Sequence, residues 1–135
     1  MLQPKRIKHR KVHRGNKKPG TATRGYYLSF GSFGLKAIEA DWIRSSQIES
    51  ARRAISHSIQ RGGKLWIRIF PDRPMTQKGA EVGMGGGAGA LSHFVTPVEK
   101  GRILFEMDGV TEVVAREAFR LASHKLPVKT RFIKK

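Results

Sequence analysis

Between Glu81 and Phe94 the chain reads EVGMGGGAGALSHF, with five glycines in the seven residues from Gly83 to Gly89. Such a run either cradles a phosphate or forms a pliant finger, because glycine accepts positive φ and close backbone approach at a cost in entropy. The phosphate reading demands more than glycine. A P-loop ends in Gly-Lys-Ser/Thr, whose ammonium meets the phosphates, and no lysine follows any of these glycines. The spacing G-x-G-x-x-A does occur at Gly83, Gly85 and Ala88. A dinucleotide site, however, requires it to leave a strand and open a helix, with an acid about 20 residues on. Here the residues from Pro71 to about Leu91 have no periodicity, and strand-like residues follow. The sequence predicts a mobile loop and not a nucleotide pocket.

The other residues capable of chemistry are dispersed. His9 and His13 stand four apart without a third ligand nearby, and His57, His93 and His124 are scattered. A zinc site needs three or four ligands in a held geometry, so no metal is expected. Absence of cysteine excludes disulfides and thiolate sites. The ten acids never pair at a spacing suited to general acid–base work, so neither catalysis nor a cofactor is expected. Trp42, Trp66, Tyr26 and Tyr27 could stack on bases, with core or half-core burial as the commoner alternative for such rings.

Charge is the dominant signal. Twenty-seven Lys and Arg against ten Asp and Glu give a net charge of +17 and a pI near 11.2, a field that attracts polyanions. Residues 1 to 24 hold Lys5, Arg6, Lys8, Arg10, Lys11, Arg14, Lys17, Lys18 and Arg24 and no acid. With only Leu2, Ile7 and Val12 as large aliphatics, this segment cannot bury enough surface to fold alone. It reads as a basic arm, residues 1–25, joined to a single domain, residues 26–135, with a flexible loop at about 75–92. Leu, Ile, Val and Phe make up about a quarter of the chain, enough for an ordinary core at this length. No apolar run approaches the ~20 residues of a membrane span, and the start lacks the apolar core of a signal peptide. A cytosolic protein is expected.

Around these residues the pattern predicts a short set of elements. YYLSFGSFGLKAI, from Tyr26, reads as extended chain interrupted at Gly31 and Gly34. SSQIESARRAISHSIQRGG is a helix, with a Ser46–Glu49 capping box and a stop at Gly62. Ile48, Ala51, Ile55 and Ile59 line one face, Arg53, His57 and Arg61 lie opposite, and Arg52 sits at the border. KLWIRIF alternates as a strand closed by Pro71. Phe94–Val98 and Arg102–Met107 suggest a hairpin about Lys100 and Gly101. A second helix spans about Glu112 to Lys125, with Val114, Ala115, Ala118, Leu121 and Ala122 inward and Phe119 at the edge. VKTRFI closes the chain as a strand. Without regular βαβ alternation, the class is α+β. A folded domain with a basic arm suits an rRNA-embedded protein, a DNA-architectural protein or an RNA-modifying enzyme.

Several stretches resemble the bacterial large-subunit ribosomal protein L-sixteen family (universal uL-sixteen). They are MLQPKRIKHRKVHRG, SFGSFGLKAIE, QIESARRAI, KLWIRIFPDRP, and ILFEMDGV through AREAFRLASHKLPVKTRFI, in order and nearly end to end. The resemblance implies two helices packed on a mixed, partly barrel-like sheet. It implies a structural constituent of the large ribosomal subunit, cytoplasmic and ribosome-bound. Such a protein binds 23S rRNA near the A site and peptidyl-transferase region, contacts A-site tRNA and supports late subunit assembly. Neighbouring large-subunit proteins are implied partners, with 5S rRNA a further candidate; no membrane, small-molecule substrate or second copy of the chain is. The expected rRNA-binding residues are Lys5, Arg6, Lys8, His9, Arg10, Lys11, His13, Arg14, Lys17, Lys18, Arg24, Arg44, Arg52, Arg53 and Arg61. Gly83, Met84, Gly85, Gly86, Gly87 and Gly89 match the family loop that faces tRNA and the peptidyl-transferase region. This chain departs from the family there: Gly83 stands at the usual arginine, Gly86 and Ala88 at positions where lysine is common, and His93-Phe94 at the usual Tyr-Trp.

Overall fold

The computed structural model describes residues 1–15, 20–60 and 62–135. Along the chain run β1 (Phe33–Ala37), β2 (Asp41–Arg44), α1 (Ser45–Ser58), β3 (Lys64–Ile67), β4 (Arg73–Gln77), β5 (Ala90–Val98), β6 (Ile103–Asp108), α2 (Glu112–Ser123) and β7 (Thr130–Lys134). The fold is α+β. Among the described residues, seven strands form two antiparallel sheets, ordered β3-β6-β1-β7 and β2-β5-β4. The sheets are open, so the expectation of a mixed, partly barrel-like sheet is corrected; the one parallel contact among the described residues is the isolated bridge Thr21–Lys100.

The central strand β6 is the most fully buried strand, and Ile103 through Met107 are all buried. It pairs on both sides, with β1 and with β3. The expected hairpin of Phe94–Val98 with Arg102–Met107 does not form, because the turn between them is claimed by β1. Gly101 N–H donates to the Ala37 carbonyl at 2.7 Å, and Ala37 N–H donates to the Arg102 carbonyl at 2.9 Å. The chain thereby steps from one sheet to the other. The true hairpin is β4–β5, with Arg73 opposite Val95 and Gln77 opposite Ala90. Pro74 lies on the edge strand β4, where a missing N–H costs least.

Helix α1 packs on β2, β5 and α2, while α2 also contacts β1 and β7, so the helix pair ties the two sheets together. Ala51, Ala115, Ala118 and Ala122 are fully buried, and their small side chains let the helices approach closely. Phe119, expected at the edge of α2, is 1% exposed, whereas Val114 is left outside. The Ser46–Glu49 capping box is replaced by another arrangement. Arg44 is the N-cap, and its N–H donates to Oε1 of Gln47 at 2.8 Å. That leaves Glu49 free to face the helix arginines. The helix also stops earlier than Gly62, with Ile59 as C-cap and Gln60 at φ 52°.

Among the described residues, one charged side chain is buried. Glu106, on β6, is 0% exposed. Its Oε1 accepts from the backbone N–H groups of Ser29, Phe30 and Gly31 at 2.9, 2.9 and 3.1 Å, and its other oxygen pairs with Arg68. Burial raises the carboxyl pKa, yet the three amides and the guanidinium outweigh it and the net shift is downward. The buried charge thus fixes the segment leading into β1. A Cβ at Gly31 would stand 2.5 Å from the Met107 carbonyl oxygen, so only glycine fits there.

Candidate nucleic-acid interface

The cations divide into two populations. On the helices they are neutralised within the chain. Arg52 donates to Glu49 through Nε and a terminal nitrogen at 3.0 and 2.6 Å, and Arg53 adds a third bond at 3.1 Å. These bonds, led by that from Arg52, hold the Glu49 carboxyl down to about 2. Arg116 pairs with Glu112 and Arg120 with Glu117 in the same way along α2. On the arm, Lys5, Arg6, Lys8, Arg10, Lys11 and Arg14 are exposed, and among the described residues none forms an ion pair. His9, His13, Arg24 and Arg44 are exposed as well. Lys17, Lys18 and Arg61 lie outside the described residues.

The described arm has neither helix nor strand in residues 1–15 and is held by a few posts. Leu2 packs against the core, and its carbonyl accepts from Ser45 Oγ at 2.5 Å. Arg73, at the start of β4, donates to the carbonyls of His13, at 2.8 Å, and Arg14. Its guanidinium lies 4.9 Å from the centre of the Trp42 ring, with that of Arg14 at 5.9 Å. Trp42 is thus half-buried beneath two arginines.

The glycine run is the tip of the β4–β5 hairpin, so it does leave a strand but returns to an antiparallel one instead of opening a helix. Gly85, Gly86 and Gly87 have φ of +111°, +74° and +94°, a region that suits glycine alone. Met84 is fully exposed at the tip. Lys78 folds back to donate to the carbonyls of Gly83, at 3.4 Å, and Gly85. From the arm, Lys11 Nζ donates to the Ala88 carbonyl at 3.2 Å. Arm and finger, separated by 77 residues, therefore touch. Behind the finger, burial and then the charge of Arg44 lower the His93 pKa, so this imidazole stays neutral at neutral pH.

A family model for ribosomal protein L16p/L10e matches residues 4–133. The chain belongs to that family. It is a structural protein of the large ribosomal subunit, associated with the ribosome and its rRNA. Within this L16p/L10e member, sequence reading singled out the arm, Arg24, Arg44, the α1 arginines and the glycine run. The fold brings Lys11 to the finger and Arg14 to Arg73 and Trp42, and leaves Arg52 and Arg53 bound to Glu49. Sequence reading missed Arg73 and Lys78, which organise the arm and the finger. Arg73 lies within the quoted FPDRP stretch, but its partners are 59 and 60 residues away and no local pattern announces them.

Proposed function

We propose that residues 1–25 form an arm that threads into 23S rRNA near the A site, anchored on a domain of residues 26–135. The Gly83–Gly89 finger then faces tRNA and the peptidyl-transferase region. In this reading the protein supports late subunit assembly and translation in the cytoplasm without catalysing a reaction, beside neighbouring large-subunit proteins and 5S rRNA. The observation that carries the reading is the contrast in charge pairing. Helix arginines are already paired with Glu49, Glu112 and Glu117, whereas among the described residues Lys5, Arg6, Lys8, Arg10, Lys11 and Arg14 of the arm have no carboxylate partner and are available to phosphates. Each phosphate neutralised releases counterions, which drives binding to a polyanion.

The finger works differently. Without a free cation at its tip, it meets RNA through backbone N–H groups and Met84, a contact that positions more than it attracts. Co-sedimentation with large subunits through high-salt sucrose tests the proposal. The chain is expected in the subunit fraction, and a variant lacking the arm's charge in the supernatant. Recovery of the wild-type chain mainly in the ribosome-free fraction would overturn it.

A further inference from the structure

A groove of about 810 Å³ lies beside the edge strand β3, lined among others by Leu65, Trp66, Phe30, Phe70, Arg68 and Arg102. Its aromatic residues are unusually open: Phe30 is 56% and Phe70 45% exposed. Phe30 and Trp66 stack at 6.0 Å with planes 20° apart, and the Arg68 guanidinium lies 5.1 Å from the Phe30 centroid. Large exposed rings are normally a cost that a small basic domain avoids. Here Phe30 is held outward by construction, since its own N–H and those of Ser29 and Gly31 are spent on Glu106.

We propose that this groove receives unpaired RNA bases, which extend the Trp66–Phe30 stack. Arg68 is neutralised by Glu106, and Arg102 and Asp72 both line the groove. The groove itself is therefore nearly neutral, which suits an uncharged base more than a phosphate. The chain as a whole carries a +17 excess that draws a phosphodiester backbone, so charge complementarity favours a nucleic-acid occupant over a basic or neutral protein surface. Rings and guanidinium planes together are the means by which proteins hold splayed-out bases of single-stranded RNA. The inference rests on the rRNA-binding reading and adds a second kind of contact to it, one that depends on strandedness.

The test uses the full chain and two probes: a single-stranded adenylate octamer carrying one 2-aminopurine, and an eight-base-pair RNA duplex. The wild-type chain is expected to quench the 2-aminopurine on binding. Phe30→Leu and Phe70→Leu, each checked by thermal melting, are expected to lose about tenfold in affinity for the single strand, the size of one base–aromatic stack. Their duplex affinity and salt slope stay at wild-type values. Unchanged single-strand affinity in both variants, or no quenching by the wild-type chain, overturns the groove. Salt-dependent duplex binding that survives such a result leaves the rRNA-binding reading intact, so the two failures are distinct. Normal RNA binding by variants that no longer retain a neighbouring protein in reconstituted subunits would make the groove a protein-docking surface and likewise overturn the proposal.

Discussion

Replacing Lys5, Arg6, Lys8, Arg10, Lys11 and Arg14 together with glutamine removes the cations of residues 1–15 while keeping the arm's length and its Leu2 anchor. These six have no competing carboxylate, so each is free to neutralise a phosphate. At about 0.7 to 0.9 counterions per phosphate, six contacts correspond to a log–log salt slope of about −4 to −5. Between 50 and 200 mM salt, that part of the slope alone weakens binding by about 250- to 1,000-fold. The measurement is filter binding to a 23S rRNA fragment across a salt series, wild type against variant. The variant is expected to show a slope flatter by about 4 to 5 units while thermal melting remains within a few degrees. Lys11 must leave the Ala88 carbonyl to contribute, so Lys11→Gln alone should flatten the slope by no more than about 1. An unchanged slope in the sixfold variant would refute the reasoning and place the phosphate contacts elsewhere, Arg24 and Arg44 being the next exposed cations.

Glu106→Gln should destabilise the fold by about 3 kcal/mol in urea unfolding, since a charged acceptor of three amides and a guanidinium becomes a neutral one. Because the folded pKa of Glu106 lies below the ordinary 4.5, its contribution is complete above that value and lost as pH falls below it; the variant should lose this part of the acid dependence. Glu49→Gln frees Arg52 and Arg53, and is expected to steepen the salt slope by about 1 to 2 with little loss of stability, as exposed pairs contribute under about 1 kcal/mol. Carboxyl NMR should place the Glu49 titration at about 2. Gly31→Ala drives a methyl to within 2.5 Å of the Met107 carbonyl oxygen, and a loss of about 1 to 3 kcal/mol in thermal melting is expected. Valine at both Gly85 and Gly87 meets open space but an unsuitable φ, so it should impair tRNA accommodation in reconstituted subunits far more than it weakens RNA affinity. Equal losses in both would count against a positioning role for the finger.

What could be read from the chain followed element length and locality. β6, β3, β7 and α2 announce themselves by alternation or by an apolar face. β2 is four residues, DWIR, and β4 is RPMTQ, with a proline and one large apolar side chain; neither carries a periodic signal, and both exist because β5 pairs with them. Missing β4 hid the hairpin and made the glycine run look like an isolated loop. The turn at Lys100 and Gly101 has hairpin chemistry, yet Ala37 outcompetes the local pairing. The arm's charge was plain in composition, but which cations were already neutralised was not. An i,i+3 or i,i+4 pairing such as Glu49 with Arg52 and Arg53 is legible in principle; the posts at Arg73 and Ala88 are not, because they join residues about 60 to 77 positions apart, and Lys78 meets Gly83 and Gly85 only through the irregular fold of the loop.

The clasp of Arg73 on the His13 carbonyl joins residues 60 positions apart, and that separation is also an interval of time. At about 5 to 20 residues per second, the arm is synthesised some 3 to 12 seconds before its post exists. For about the first half of that interval the most basic segment of the chain has no Trp42 beneath it, and for all of it no finger beside it. Birth order therefore exposes the nascent arm to whichever polyanion is nearest, ahead of any folded surface that could select among them.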